Sequence, residues 1–197
     1  LTMGDPAGIG PEIIVKSINK LKMTNYVVFG DAMVFENIIK ILGIPLRLNC
    51  INSLSQAKFD KDVLNLLETS KLKSNPCFGE TSKESGRASY DAILETIKLA
   101  KQKKLHGVVT APINKKALDL ANISFPGHTE IFSEHSKSNN VSMMLSNNNI
   151  KTVLVTLHCS MAEALKKINV EHEFKAIKNA YIGAKMFGIK DPIIAVA

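Results

Sequence analysis

Apolar positions recur along this chain with two different periods. Short apolar runs at residues 26–29, 46–50, 107–110 and 152–157 predict strands. Between them, longer stretches place apolar residues three and four apart, which predicts helices. Leu1-Thr2-Met3 reads as the end of a strand that runs into a glycine-rich turn. A helix from about Pro11 to Leu21 follows, with Pro11 where its missing N–H costs nothing. Asp31 suits the cap of a helix ending near Gly43. Thr81-Ser82-Lys83-Glu84 matches a capping box that opens a long helix with Tyr90, Ile93, Leu94 and Ile97 on one face. Helices are expected near residues 115–120 and 130–137. Residues 141–145 and 152–157, joined through Asn147-Asn148-Asn149, predict a hairpin. Ser160-Met161-Ala162-Glu163 is a second capping box, with Met161, Ala164, Leu165 and Ile168 as its stripe. Val170, Phe174, Ile177, Tyr181 and Ala184 form a further stripe, expected to pack on another helix or a partner chain. Residues 51–80, apart from an apolar run at 63–67, read as a surface excursion, and residues 192–197 as a last strand.

Strands separated by helices of ten or more residues predict an α/β fold with a largely parallel sheet. The hairpin adds antiparallel pairing, so the expectation is a mixed, mostly parallel sheet flanked by helices. The first domain is expected over approximately residues 1–130, and the start of a second, incomplete domain over approximately 131–197. Both ends read as cut, so the sequence is expected to be a fragment of a longer protein.

Composition narrows the function classes. The chain has 197 residues, 45% of them hydrophobic, enough for one well-buried domain and part of another. The formal net charge is +7, carried almost entirely by scattered Lys, with Arg only at positions 47 and 87. A nucleic-acid reader would cluster Arg among aromatics, so no nucleic-acid partner is expected. Cys50, Cys77 and Cys159 are odd in number and widely spaced, which fits a reducing cytoplasm better than a disulfide framework. No apolar run approaches the ~20 residues of a membrane helix, so no membrane partner is expected.

Four polar motifs each follow a predicted strand or turn. Gly4-Asp5-Pro6-Ala7-Gly8-Ile9-Gly10 lies between a strand and a helix start, where backbone amides attract anions. Its spacing is neither a Walker loop nor the dinucleotide fingerprint. It is either a tight structural turn or a ligand loop, and Asp5 would repel a phosphate. Thr110-Ala111-Pro112-Ile113-Asn114-Lys115 offers Lys115 to an anion or to solvent. Pro126-Gly127-His128-Thr129-Glu130 exposes His128 and Thr129 ahead of a helix, where Thr129 also suits a cap. His158 follows a strand, where open α/β sheets bind ligands, and a neutral imidazole is a common metal ligand. His106, His135 and His172 read as surface residues. In a parallel sheet the carboxyl ends of the strands share one edge, so these motifs are expected to converge on one cleft.

These stretches, together with Ser85-Gly86-Arg87-Ala88, Val141-Ser142-Met143-Met144-Leu145 and Thr156-Leu157-His158, resemble the 4-hydroxythreonine-4-phosphate dehydrogenase family across the whole chain. The resemblance implies a fold like that of isocitrate and isopropylmalate dehydrogenases, with two α/β domains and a cleft. It implies a homodimer with a shared active site. It implies oxidation of 4-phosphooxy-L-threonine with NAD or NADP, then decarboxylation to 3-amino-2-oxopropyl phosphate on the way to pyridoxal phosphate. A divalent metal (zinc, magnesium or cobalt) is implied as well. His128 and Thr129 match the family's substrate-binding pair. His158 matches the first of three metal-binding histidines. The other two lie in Asn-Pro-His-Ala-Gly-Glu and Tyr-His-Asp segments that this sequence lacks, so the 197-residue stretch alone is expected to be inactive.

The early motifs do not separate this activity from that of relatives acting on threonate or erythronate 4-phosphate, or on an aromatic cis-diol acid. A phosphate acyltransferase of the same general fold would need neither NAD nor metal. A non-catalytic remnant is the third class.

Overall fold

The computed structural model of the chain describes residues 1–138 and 140–196. It divides into two compact units, Leu1–Lys137 and Ser138–Ala197.

The first unit is built on parallel strands β1 (Val28–Gly30), β2 (Arg47–Ile51) and β3 (Val63–Glu68), in the order β1-β3-β2. Val28 faces Leu66 in register, and Arg47 faces Val63. Thr2 extends this arrangement through parallel bridges to Phe29 on one side and Thr110 on the other. Met3 N–H donates to the Phe29 carbonyl at 2.9 Å, and Thr2 N–H to that of Val109 at 3.0 Å. Residues 1–3 therefore lie between β1 and the segment around Thr110, all running the same way. The apolar run at 63–67, set apart from the polar residues around it, is a strand. As β3 it is the central strand, paired on both edges, with Val63, Leu64, Asn65 and Leu66 buried. Near-continuous apolar runs are what a parallel strand covered on both faces requires. The polar residues around it hide that role in sequence.

Helix α1 (Gly10–Leu21) packs Ile14, Val15 and Ile18 inward and has Pro in its first turn. In α2 (Ala32–Leu42), Asp31 accepts from Val34 N–H, and Gly43 closes the end with φ of 60°, a left-handed geometry that glycine adopts without strain. Helix α3 (Lys83–Lys101) is capped by Ser82, which accepts from Ser85 N–H at 3.0 Å. The predicted box from Thr81 to Glu84 is thus displaced by one residue. Helix α4 (Lys115–Leu120) is capped by Asn114, and α5 spans His128–Ser136. One core gathers Met3, Val15, Ile18, Val28, Phe35, Leu64 and Leu66. A second joins α3, α4 and α5 through Ile93, Ile97, Leu118, Ile123 and Ile131.

In the second unit, β4 (Met144–Ser146) and β5 (Lys151–Val153) form the expected antiparallel hairpin. Asn147 Oδ1 accepts from the N–H groups of Asn149 and Ile150, both at 2.8 Å, which makes the turn. Helix α6 (Met161–Lys167) carries a complete capping box between Ser160 and Glu163, and α7 (Val170–Met186) follows. Parallel and antiparallel pairing both occur, in separate sheets among the described residues. Only Ala176 and Ala184 are buried among the described residues of this unit. The α7 stripe expected to pack is largely uncovered, with Val170 86% and Phe174 66% exposed. Residues 192–196 form no strand, since an extended segment becomes one only with a ladder partner, and Ala197 lies outside the described residues. Among the described residues, no helix is long and apolar enough to cross a membrane.

Candidate active site

The glycine-rich loop resolves into a structural turn. Asp5 N–H donates to the Pro112 carbonyl at 2.9 Å, Ala7 N–H to Asp5 Oδ1 at 2.9 Å, and Gly8 N–H to the Asp5 carbonyl at 3.0 Å. Pro6 has no N–H. The amides of residues 5–8 that could cradle an anion are therefore committed, and the buried Asp5 carboxylate fills the turn. Gly4 is the hinge. Its φ is 72°, and a Cβ there would lie 2.4 Å from the Pro112 carbonyl oxygen. The loop and the segment after Thr110 do meet at one end of the sheet, as the shared-edge argument expects. Ser89 on α3 joins them, donating to the Gly4 carbonyl at 2.9 Å. Asn114 is used twice, accepting from Ala117 N–H and donating to Thr81 Oγ1. Lys115 points into solvent. These bonds make the corner part of the scaffold.

Helix α5 begins two residues earlier than predicted, at His128. His128 and Thr129 are not ahead of the helix but in the first turn of α5, whose cap is Gly127. Glycine has no side chain to accept from the first amides, so this helix end is uncapped and carries the positive end of the helix dipole. His128 is half-buried. Its Nε2 is shielded from solvent and has no hydrogen-bond partner among the described residues. Burial holds its pKa below the ordinary value of 6.5, so the ring is neutral near pH 7. A buried, unpaired polar atom is costly unless something binds it. Together these features suit an anionic or hydroxyl-bearing ligand.

The lowered pKa has a pH consequence. A histidine harder to protonate in the folded chain than in the unfolded one leaves stability intact above the unfolded value and erodes it below. Stability is therefore expected to fall as pH drops below about 6.5, and His128→Gln should lose that component. Thermal denaturation of both proteins between about pH 7.5 and about pH 5 checks this. Parallel curves for the two would remove the shift.

His158 lies five residues beyond the end of β5, on the link into α6, rather than directly after a strand. It is exposed, with φ of 50°, an uncommon geometry for a residue other than glycine. A metal site needs three or four ligands. Among the described residues no group of three or more His, Cys, Asp or Glu side chains is placed to hold an ion. His158 can offer one imidazole nitrogen, and the described residues do not complete a metal site around it. The histidine that sequence reading missed is His135. It is not a free surface residue, since its Nε2 lies 2.6 Å from Tyr90 Oη. Its spacing of seven from His128, with Ile131 between them, was the available signal.

Residues 22–197 match the family described as "Pyridoxal phosphate biosynthetic protein PdxA". The chain belongs to the PdxA family. A 4-hydroxythreonine-4-phosphate dehydrogenase of Beijerinckia indica is 46% identical over 198 residues, which cover 100% of this chain and 59% of that protein. A D-threonate 4-phosphate dehydrogenase of Cupriavidus necator is 31% identical over 199 residues, covering 100% of this chain and 60% of its own. The crystal structure of a 4-hydroxythreonine-4-phosphate dehydrogenase from Burkholderia phymatum superposes with a TM-score of 0.86 at 30% identity, covering 97% of this chain and 59% of that one. The chain thus spans about three-fifths of the length of these relatives. The fold is the α/β fold of PdxA, which is isocitrate dehydrogenase-like, as the motifs implied. The turn at Gly4–Gly10 and the caps at Ser82 and Asn114 are closed by internal hydrogen bonds, whereas His128 Nε2 has no partner among the described residues.

Proposed function

We propose that the protein carrying this chain oxidises 4-phosphooxy-L-threonine with NAD or NADP, on the route to pyridoxal phosphate. The observation that carries this is the 46% identity to a 4-hydroxythreonine-4-phosphate dehydrogenase along the whole of this chain. In the reaction, a hydride passes from the hydroxyl-bearing carbon to the nicotinamide and the hydroxyl proton is released. The resulting β-keto acid loses carbon dioxide, a proton takes its place, and 3-amino-2-oxopropyl phosphate is formed.

The part of this chain is placement. The neutral His128 ring offers Nε2 to a polar group of the substrate, and Thr129 adds a hydroxyl beside it. The uncapped amides of α5 favour a negatively charged group at the same place, offset in part by the Glu130 carboxylate in that first turn. His158 is the imidazole this chain would contribute to a divalent ion, whether zinc, magnesium or cobalt; no group of three or more potential ligands is found among the described residues. The enzyme works as a cytoplasmic homodimer with a shared active site. The exposed apolar stripe of α7 is consistent with a buried surface in the assembled protein.

A second reading is dehydrogenation of D-threonate 4-phosphate, favoured by the relative from Cupriavidus necator. The two substrates differ in an amino group against a hydroxyl. Reduced cofactor is followed with each substrate, using the full-length protein supplied with divalent metal. A higher kcat/KM for 4-phosphooxy-L-threonine is expected. The opposite order moves the assignment to the second reading, and no reduction with either ends both.

A further inference from the structure

Helix α5 presents His128, Ile131, Phe132 and His135 at spacings of three, four and seven, which is one face. That face lies against α3. Ile131 is its only fully buried residue, seated among Ile93, Ile97, Leu118 and Ile123. Phe132 packs partly buried on the same cluster, and a turn of the helix about this short apolar seam would move His128. Two polar and aromatic contacts, one on each side of Ile131, oppose that turn. At the far end, His135 Nε2 lies 2.6 Å from Tyr90 Oη on α3. At the near end, Phe125 leads into Pro126-Gly127 and stacks on the Tyr90 ring, with centroids 6.2 Å apart and planes 22° apart. Phe125 and His135 also meet, at 5.9 Å between centroids. Tyr90 thus touches the segment before His128 and the last turn after it.

We infer that Tyr90, through its bond to His135 and its stacking on Phe125, is a positioning residue that sets the rotation of α5 and so aims His128 and Thr129 at the substrate. This rests on the proposed substrate role of those two residues. Arg87, whose guanidinium lies 6.0 Å from the Tyr90 ring centroid, and Asp91, which pairs with Arg87, hold the outer side of the ring. Burial keeps the phenol pKa above its ordinary value, so the hydroxyl proton stays in place for the bond at neutral pH.

The test is a double-mutant cycle in the full-length protein, with 4-phosphooxy-L-threonine and NAD. Tyr90→Phe keeps the ring and removes only the hydroxyl. It is expected to raise KM for the phosphorylated substrate roughly tenfold, with KM for NAD unchanged. In a His128→Ala background the same substitution should have no further effect, because the group it aims is gone. His135→Phe, which removes the other partner of the bond, should reproduce the Tyr90→Phe change, and His135→Gln should restore part of it. If Tyr90→Phe leaves KM unchanged while His128→Ala raises it, positioning by Tyr90 is wrong and the substrate role of His128 stands. If Tyr90→Phe has the same effect with and without His128, its role is structural only and the inference fails. If His128→Ala itself leaves KM unchanged, the substrate assignment fails first, and the inference with it.

Discussion

Gly86→Ala is expected to destabilise the chain more than any other single methyl addition considered. A Cβ at this position would lie 2.0 Å from the Ala117 carbonyl oxygen, 2.3 Å from its carbon and 2.8 Å from Leu118 N. All three are backbone atoms, so no side-chain rotation relieves the overlap. Helix α4 would have to withdraw from α3, and it is pinned there by Leu118, which is fully buried. Alanine is the better helix former by about 1 kcal/mol. Overpacking typically costs about 1–3 kcal/mol, and a clash with backbone atoms that cannot rotate away belongs at the upper end, so the clash wins by about 2 kcal/mol. Urea denaturation of the variant should show a clearly lowered midpoint. An unchanged midpoint would mean that α3 and α4 do not approach as closely as described. The displaced α4 also carries Asn114 and leads toward Phe125, so partial survival should come with impaired substrate binding.

His128→Ala is expected to act in the opposite way, on function with little effect on the fold. The imidazole makes no hydrogen bond through Nε2 among the described residues, so its removal orphans no internal partner there. The energy at stake is its bond to substrate. A hydrogen bond to a charged group is worth about 1.5–3 kcal/mol, which corresponds to a roughly 10- to 100-fold fall in kcat/KM. The measurement is steady-state turnover of 4-phosphooxy-L-threonine by the full-length variant, with its thermal midpoint as the control. Wild-type kcat/KM would take His128 out of the site, and a collapse of the midpoint would show the ring to be a packing element.

The relation between His128 and α5 also shows how far reading from residues reaches. The motif Pro-Gly-His-Thr-Glu marks the position, but not whether the pair precedes the helix or begins it. A Gly cap leaves no side-chain signature, and Thr129 imitates one. His135 reads as a surface residue because it sits in a helix-end pattern among charged residues, whereas its partner Tyr90 is 45 positions away. The same holds for the glycine-rich loop. Its spacing favours a turn slightly over a ligand cradle without deciding between them. The choice falls to the turn because the Pro112 carbonyl, remote in sequence, takes the Asp5 amide.

Elements whose bonds close within about four residues could be read directly from the residues. The Asp31 cap and Gly43 close of α2, the Ser160–Glu163 box of α6 and the Asn147 turn of the hairpin all belong here, as does the order of motifs that marks the PdxA family. Long-range packing settled the rest: β3 as the central strand, the contact of Gly86 with α4, the Tyr90–His135 bond and the unpaired Nε2 of His128. Each of these depends on atoms brought together from distant parts of the chain, and a linear pattern holds no record of which distant partner arrives.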